Sequence, residues 1–192
     1  MSFESIKIID NFFHHNILSQ IKDCIINKYT NWTNFSTYRD YQNRFGAKSY
    51  WEICLNKDIF FTTTLKDIIE QKYNQKLTLI RVMILCTLFS HDGSYHYDHE
   101  DTNLLYENGA DFNSKEITFC LYIHLSSTIN TDIHDGNIYF KLPNKKYIIC
   151  VDTIDNRGIL FPGFLLHKPT GYNINNYKQR ICITWKFIEG DI

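Results

Sequence analysis

The sequence predicts an α+β protein in which N-terminal helices buttress an antiparallel double sheet. Three observations predict it. Apolar residues recur at helical spacing only before residue 77. Beyond that point β-branched and aromatic runs follow one another at close intervals, as in a sandwich or barrel. The 192 residues match one domain, 1–192, and no linker or low-complexity stretch divides them. Helical support is expected over about 1–76 and the sheet core over about 77–188.

The elements follow in order. Residues 5–13 alternate as a short strand does. Ile17, Leu18, Ile21, Cys24, Ile25 and Tyr29 form one helical face. Residues 30–51 carry many aromatics, with Arg39 and Arg44 between them, but no period. They read as an ordered packed loop, with short strands within it or a substrate lid as the alternatives. A second helical face runs Phe61, Leu65, Ile68, Ile69, Tyr73, with Asn74 as its stop. Strands are expected at 77–89, 116–126, 137–142, 146–152, 158–161 and 179–188. Turn signals separate the later ones: Asp135-Gly136-Asn137, Pro143-Asn144, Asn156-Arg157-Gly158 and Pro162-Gly163.

Composition narrows function. Hydrophobic residues at 44% and aromatics at 16% fit a packed globule and exclude disorder. A formal charge of −1, from 20 basic and 21 acidic residues, excludes a strongly basic nucleic-acid binder. The six cysteines contain no CxxC pair, so zinc ribbons and thioredoxin-like motifs are unsupported. Most sit among apolar neighbours and read as buried free thiols. The N-terminus lacks a long apolar signal region and no run is long enough to span a membrane. A cytoplasmic, reducing setting is expected.

The histidines point to chemistry. Just past the 77–89 strand the chain reads His91-Asp-Gly-Ser-Tyr-His96-Tyr-Asp98-His99-Glu100-Asp101. On an extended backbone, His96 and Asp98 project to one side and can share one metal ion. Imidazole with carboxylate suits iron(II) and leaves zinc open. By itself the triplet also fits a solvated polar loop. His167 ends the apolar run Gly158-Ile-Leu-Phe-Pro-Gly-Phe-Leu-Leu, which can deliver it to a buried place. Arg180 opens the alternating strand Arg-Ile-Cys-Ile-Thr-Trp and shares a face with Cys182 and Thr184. An inward arginine needs an anionic partner, and its planar fork suits a carboxylate. Lys178 has the same parity but lacks the fork. Two histidines and one carboxylate with open positions form the facial triad of non-haem iron(II) oxygenases.

Taken together the motifs resemble one family. They are Gly93-Ser-Tyr-His96-Tyr-Asp98, Ile117-Thr-Phe-Cys-Leu-Tyr-Ile-His-Leu125, Asp135-Gly136-Asn-Ile-Tyr-Phe140, Gly158-Ile-Leu-Phe-Pro-Gly163, Leu166-His167 and Arg180-Ile-Cys-Ile-Thr184-Trp185. In order and spacing they resemble the iron(II)/2-oxoglutarate-dependent dioxygenases, in the prolyl 4-hydroxylase-like branch. Asp135-Gly136 stands where relatives often carry Gly-Gly. The fold the resemblance implies is the double-stranded β-helix, a cupin-like jelly roll. It implies iron(II), 2-oxoglutarate and dioxygen as cofactors, with ascorbate as an accessory. It makes His96, Asp98 and His167 the metal ligands. Arg180 then binds the far carboxylate of 2-oxoglutarate, with Tyr122, Thr184 and His124 as further cosubstrate contacts. His99, Glu100, Arg39 and Arg44 are weaker expectations as substrate or supporting residues.

The activity implied is hydroxylation of an unactivated C–H bond, on a peptidyl proline or similar residue. Alternatives are the same chemistry on a free amino acid, small metabolite or nucleobase, a non-catalytic jelly-roll binding module, and a hydrolytic zinc site. Partners expected are a protein, peptide or small-molecule substrate, with no membrane and with nucleic acid disfavoured.

Overall fold

The computed structural model describes residues 6–28, 33–35, 50–87, 95, 116–125, 136–142, 146–171 and 180–190. The strands are β1 (Lys7–Ile9), β2 (Thr33–Phe35), β3 (Tyr50–Cys54), β4 (Leu77–Thr87), β5 (Glu116–Ile123), β6 (Ile138–Lys141), β7 (Ile148–Val151), β8 (Gly158–Pro162), β9 (Leu166–Pro169) and β10 (Arg180–Glu189). The helices are α1 (His15–Asp23), continued by a wide π-type turn over Cys24–Lys28, and α2 (Leu65–Tyr73), preceded by another over Phe60–Thr64. Seven strands form one sheet in the order β1-β8-β5-β10-β4-β3-β2, and three form another, β7-β6-β9. All pairings are antiparallel.

Period-two alternation sorts the large sheet's side chains between two cores. On β10, Ile181, Ile183, Trp185 and Phe187 face the helices, joined by Phe119, Leu121 and Ile123 from β5. Helix residues Ile21, Leu65, Ile69 and Tyr73 complete that layer. The opposite face sends Cys182, Cys120, Tyr122, Ile159 and Phe161 toward Ile138, Phe140 and Val151 of the small sheet. The barrel interior is this second cluster. Trp185 is fully buried, and its indole N–H donates to the Phe61 carbonyl at 3.0 Å, which satisfies its one polar atom.

Several boundaries differ from the sequence reading. The first strand stops at Ile9 because Asn11 adopts φ 51 and turns the chain. Phe12 and Phe13 then enter the helix-side core. The turn expected at Pro162-Gly163 is present, closed by the Leu165 N–H donating to the Pro162 carbonyl, but the residues beyond it form a further strand, β9. His167 therefore lies inside a strand of the small sheet, opposite Phe140. Asn74 does stop α2, in the left-handed conformation at φ 49. Among the cysteines, Cys86, Cys120 and Cys182 are buried, whereas Cys54 and Cys150 are exposed near the ends of short strands. Burial pushes the Cys86 thiol up to about 11. No helix among the described residues is long and apolar enough to cross a membrane.

The N-terminal arm is tied to the barrel through Asn156. This residue sits at φ 60, a conformation asparagine tolerates better than most residues. Its Oδ1 accepts the Phe13 N–H at 2.9 Å, and its Nδ2 donates to the Phe13 carbonyl at 2.7 Å. Its own carbonyl accepts from Phe12 at 2.8 Å, and its N–H donates to the Tyr122 carbonyl at 2.9 Å. Gly158 follows closely because a Cβ there would lie 2.6 Å from the Phe12 ring. Arg157 donates to both oxygens of Asp10, at 2.5 and 2.9 Å.

Asn156→Ala is expected to cost about 2–4 kcal/mol, since two buried backbone groups of Phe13 lose their partners. A denaturant midpoint that falls at unchanged slope is the check. The hydrogen bond from Arg157 holds the Asp10 carboxyl below its ordinary value of 3.8. Its contribution is therefore complete above about pH 4 and is lost as pH falls through the lowered folded value. Thermal melts of wild type and Asp10→Asn should differ at neutral pH and converge in acid.

Candidate functional site

The site begins with a buried cation. Arg180 opens β10 on its barrel-facing side and is only 4% exposed. A guanidinium in that place must be hydrogen-bonded. Its Nε donates to the Gly136 carbonyl at 2.8 Å, and its Nη2 donates to the Tyr122 hydroxyl at 3.1 Å. The guanidinium carbon lies 4.9 Å from the Tyr122 ring centre, within cation–π range. Gly136, at φ 73, turns the chain before β6 so that its carbonyl reaches Arg180. That turn is pinned one residue later, where the Asn137 carbonyl accepts the Thr170 N–H at 2.9 Å and hydroxyl at 3.0 Å.

Tyr122 stands opposite Cys182 in the register of β5 and β10. Burial raises its hydroxyl well above the usual tyrosine value, and the Arg180 charge only partly offsets this. The phenol is therefore neutral, able both to accept from Arg180 and to donate its own proton. Thr184 stands opposite Cys120, its hydroxyl 3.8 Å from that sulfur and 3.7 Å from Cys182. It shares the interior with Arg180, but about 13 Å along the strand at ordinary strand rise. Cys182 is the nearer neighbour on that face and belongs with the site. Its parity with Arg180 was the signal, and its apolar context pointed instead to plain packing.

His124 is half-buried at the end of β5. Its N–H donates to Asp155 Oδ1 at 2.8 Å, and the same carboxylate takes the Lys22 ammonium at 2.7 Å. Its predecessor Ile123 pairs with Ile181, so His124 comes level with Arg180.

His167 approaches from the small sheet. It is 4% exposed, its ring set edge-on to Phe161 at 4.9 Å and 6.0 Å from Phe140. Nδ1 lies 2.9 Å from the Leu165 carbonyl. A carbonyl only accepts, so Nδ1 carries the proton and Nε2 the lone pair. A neutral ring fixed in this way could hold a metal only through Nε2.

The segment with the remaining expected ligands is described at one position, Tyr95. The Lys141 ammonium lies 4.0 Å from its ring centre. Lys141 pairs with Leu166, the residue before His167, so Tyr95 lies beside the small sheet. His96, Asp98, His99, Glu100, Arg39, Arg44 and Lys178 lie outside the described residues. Among the described residues no three His, Cys, Asp or Glu side chains gather as a metal cluster.

No family model and no curated protein matches the chain in sequence. Solved structures match in fold. A prolyl hydroxylase from Trichoplax adhaerens, in complex with a hypoxia inducible factor oxygen degradation domain peptide fragment, superimposes with TM-score 0.66 at 16% identity, over 97% of this chain and 84% of that one. A 2OG-Fe(II) oxygenase family oxidoreductase from Burkholderia pseudomallei gives 0.67 at 8% identity, over 97% and 86%. A Pseudomonas putida prolyl-4-hydroxylase gives 0.60 at 10%, over 98% and 94%. The chain thus has the jelly-roll fold of these oxygenases, as expected from the sequence.

Tyr122→Phe removes a hydroxyl that accepts from a buried cation, and is expected to cost about 1.5–3 kcal/mol in unfolding free energy. The raised tyrosine also has a pH signature. Unfolded Tyr122 loses its proton near the ordinary value of 10.0, while the folded one keeps it. Its stabilisation is present below pH 10 and declines above, so Tyr122→Phe should flatten the alkaline fall in stability measured by denaturation at pH 9 to 11.

Proposed function

We propose that this chain is an iron(II)- and 2-oxoglutarate-dependent dioxygenase that hydroxylates a peptidyl residue such as proline. The observation that carries the reading is the buried Arg180 on one wall of the barrel with His167 on the facing sheet. In this fold that pairing supplies an anchor for a dicarboxylate and a ligand for a metal.

His167 through Nε2, with His96 and Asp98, would hold the metal; two imidazoles and one carboxylate suit iron(II) and leave positions open. Bound iron supplies the dioxygen chemistry that couples decarboxylation of 2-oxoglutarate to C–H hydroxylation. The chain's own residues orient and exclude. The Arg180 fork binds the distal carboxylate of the cosubstrate. Tyr122, held neutral by burial, donates its proton to the same carboxylate without adding charge. Phe140, Phe161 and Ile159, buried together between the two sheets, would help keep water from the site. Thr184 and His124 border the cosubstrate on the inner face of the large sheet. His99, Glu100, Arg39 and Arg44 are assigned to the substrate side. Support for a peptide substrate comes from the Trichoplax adhaerens enzyme, whose structure contains a peptide.

Iron- and 2-oxoglutarate-dependent succinate formation tests the reading. His96→Ala should abolish it. Arg180→Lys should raise the KM for 2-oxoglutarate by about 10–100-fold, the loss of a charged bidentate contact. Substrate peptides should gain about 16 Da, the mass of one oxygen atom. Iron-loaded protein that fails to bind 2-oxoglutarate without oxygen would refute the assignment.

A further inference from the structure

The strand on the other side of Arg180 carries a hydroxyl with nothing to bond. Arg180 pairs directly with Thr87, the last residue of β4. Residues paired in this way project from the same face of a sheet, with Cβ atoms about 4.5–5.5 Å apart. Alternation along β4 agrees. Val82, Ile84 and Cys86 belong to the helix-side core, so Met83, Leu85 and Thr87 face the barrel, opposite Thr184, Cys182 and Arg180. Thr87 is half-buried, but its Oγ1 is buried and has no hydrogen-bond partner among the described residues. The other buried hydroxyl there without a partner, that of Tyr73, lies in the helix-side core.

A buried hydroxyl with no partner destabilises the fold, and valine would avoid that. Valine has the same branched shape and a comparable preference for strands. The two barrel-facing residues before Thr87, Met83 and Leu85, are apolar, so the wall itself suits valine. Packing alone gives no reason for a hydroxyl here, whereas a ligand does. In the sheet order, β10 lies between β5 and β4. A carboxylate bound by Arg180 would thus have the Tyr122 phenol on the β5 side and the Thr87 hydroxyl on the β4 side. Both are neutral donors, and a hydroxyl turned to a carboxylate makes a stronger bond than one turned to a neutral acceptor. Resting on the 2-oxoglutarate reading proposed above, we infer that Thr87 is a further ligand of that cosubstrate, its hydroxyl donating to the carboxylate that Arg180 binds. One carboxylate is then bracketed from three adjacent strands. The hydroxyl, orphaned within the chain, gains its partner from the ligand.

Thr87→Val tests this through two effects of opposite sign. The melting temperature of the metal-free protein should rise, because a methyl group replaces an unbonded buried hydroxyl. The dissociation constant for 2-oxoglutarate, measured by calorimetry on iron(II)-loaded protein under nitrogen, should rise about tenfold or more, the loss of a hydrogen bond to a charged group. Thr87→Ser keeps the hydroxyl and should bind 2-oxoglutarate as the wild type does. A residue that only packs would lose stability and affinity together. Unchanged affinity in Thr87→Val would overturn the inference, as would a loss of affinity shared by Thr87→Ser, or a fall in the melting temperature of Thr87→Val. Failure of the underlying reading shows in the wild type: iron-loaded protein that takes up no 2-oxoglutarate refutes both. Wild-type binding with an indifferent Thr87→Val refutes the role of Thr87 alone.

Discussion

The rest of the site depends on one constraint, the burial of the Arg180 guanidinium. A charge taken out of water costs several kcal/mol unless its donors find acceptors. Among the described residues its acceptors come from two directions. The β6 turn offers the Gly136 carbonyl, β5 offers the Tyr122 hydroxyl, and the Tyr122 ring lies within cation–π range. Both hydrogen-bond acceptors are neutral. These two bonds hold the guanidinium in place without themselves adding a negative charge beside it. The small sheet must sit close to the large one for Gly136 to reach, so this bond also helps fix the gap between the sheets.

The same bonds run outward from the site to the N-terminus. Tyr122 is gripped at both backbone groups: its carbonyl accepts from Asn156, and its N–H donates to Arg157. Asn156 in turn holds Phe12 and Phe13, and Arg157 holds Asp10. The N-terminal arm is thereby stitched to the strand that orients the tyrosine. Phe12 then packs on Phe119 of β5 and on Tyr73 of α2, at 4.7 and 5.6 Å between ring centres. Helical support, arm and site wall form one cooperative unit, so loosening the arm should be felt at the phenol.

Much of this was legible in the sequence, and the reason differs by element. The central strands β4, β5 and β10 were readable because they are long and apolar, whereas β2 and β3 fall in or beside the aromatic stretch 30–51, which shows no period. On β10 from Arg180 to Phe187, odd positions are aliphatic or aromatic and even positions are Arg180, Cys182, Thr184 and Lys186, so parity separates the helix-side core from the other face. Helix ends were readable at Asn74, whose side chain tolerates the left-handed conformation. The end of β8 was legible in Pro162-Gly163, but β9 as a separate strand beyond that turn was hidden, because Phe164, Leu165 and Leu166 are apolar like the strand before them. Acceptors supplied by carbonyls, those of Gly136 and Leu165, leave no mark in side-chain identity. The exposure of Cys150 was hidden too, since a short edge strand gives an apolar residue no partner sheet to bury against.

The two faces of β5 and β10 show how one pair of strands serves both stability and chemistry. Outward residues such as Phe119 and Trp185 are fully buried against the helices, and large apolar groups there stabilise the fold by about 1.5–3 kcal/mol each. Inward residues are smaller and more polar, and add less. That division lets the interior depart from apolar packing: Tyr122, Arg180, Cys182 and Thr184 can be chosen for hydrogen-bonding ability because the opposite face already holds the strands in register. It also explains why the phenol stays neutral. The sheet excludes water on its helix side and the small sheet excludes it on the other, so burial outweighs even an adjacent guanidinium. A neutral donor beside a fixed cation can hydrogen-bond a carboxylate without competing with it for charge, and the fold obtains that pair from two residues on neighbouring strands.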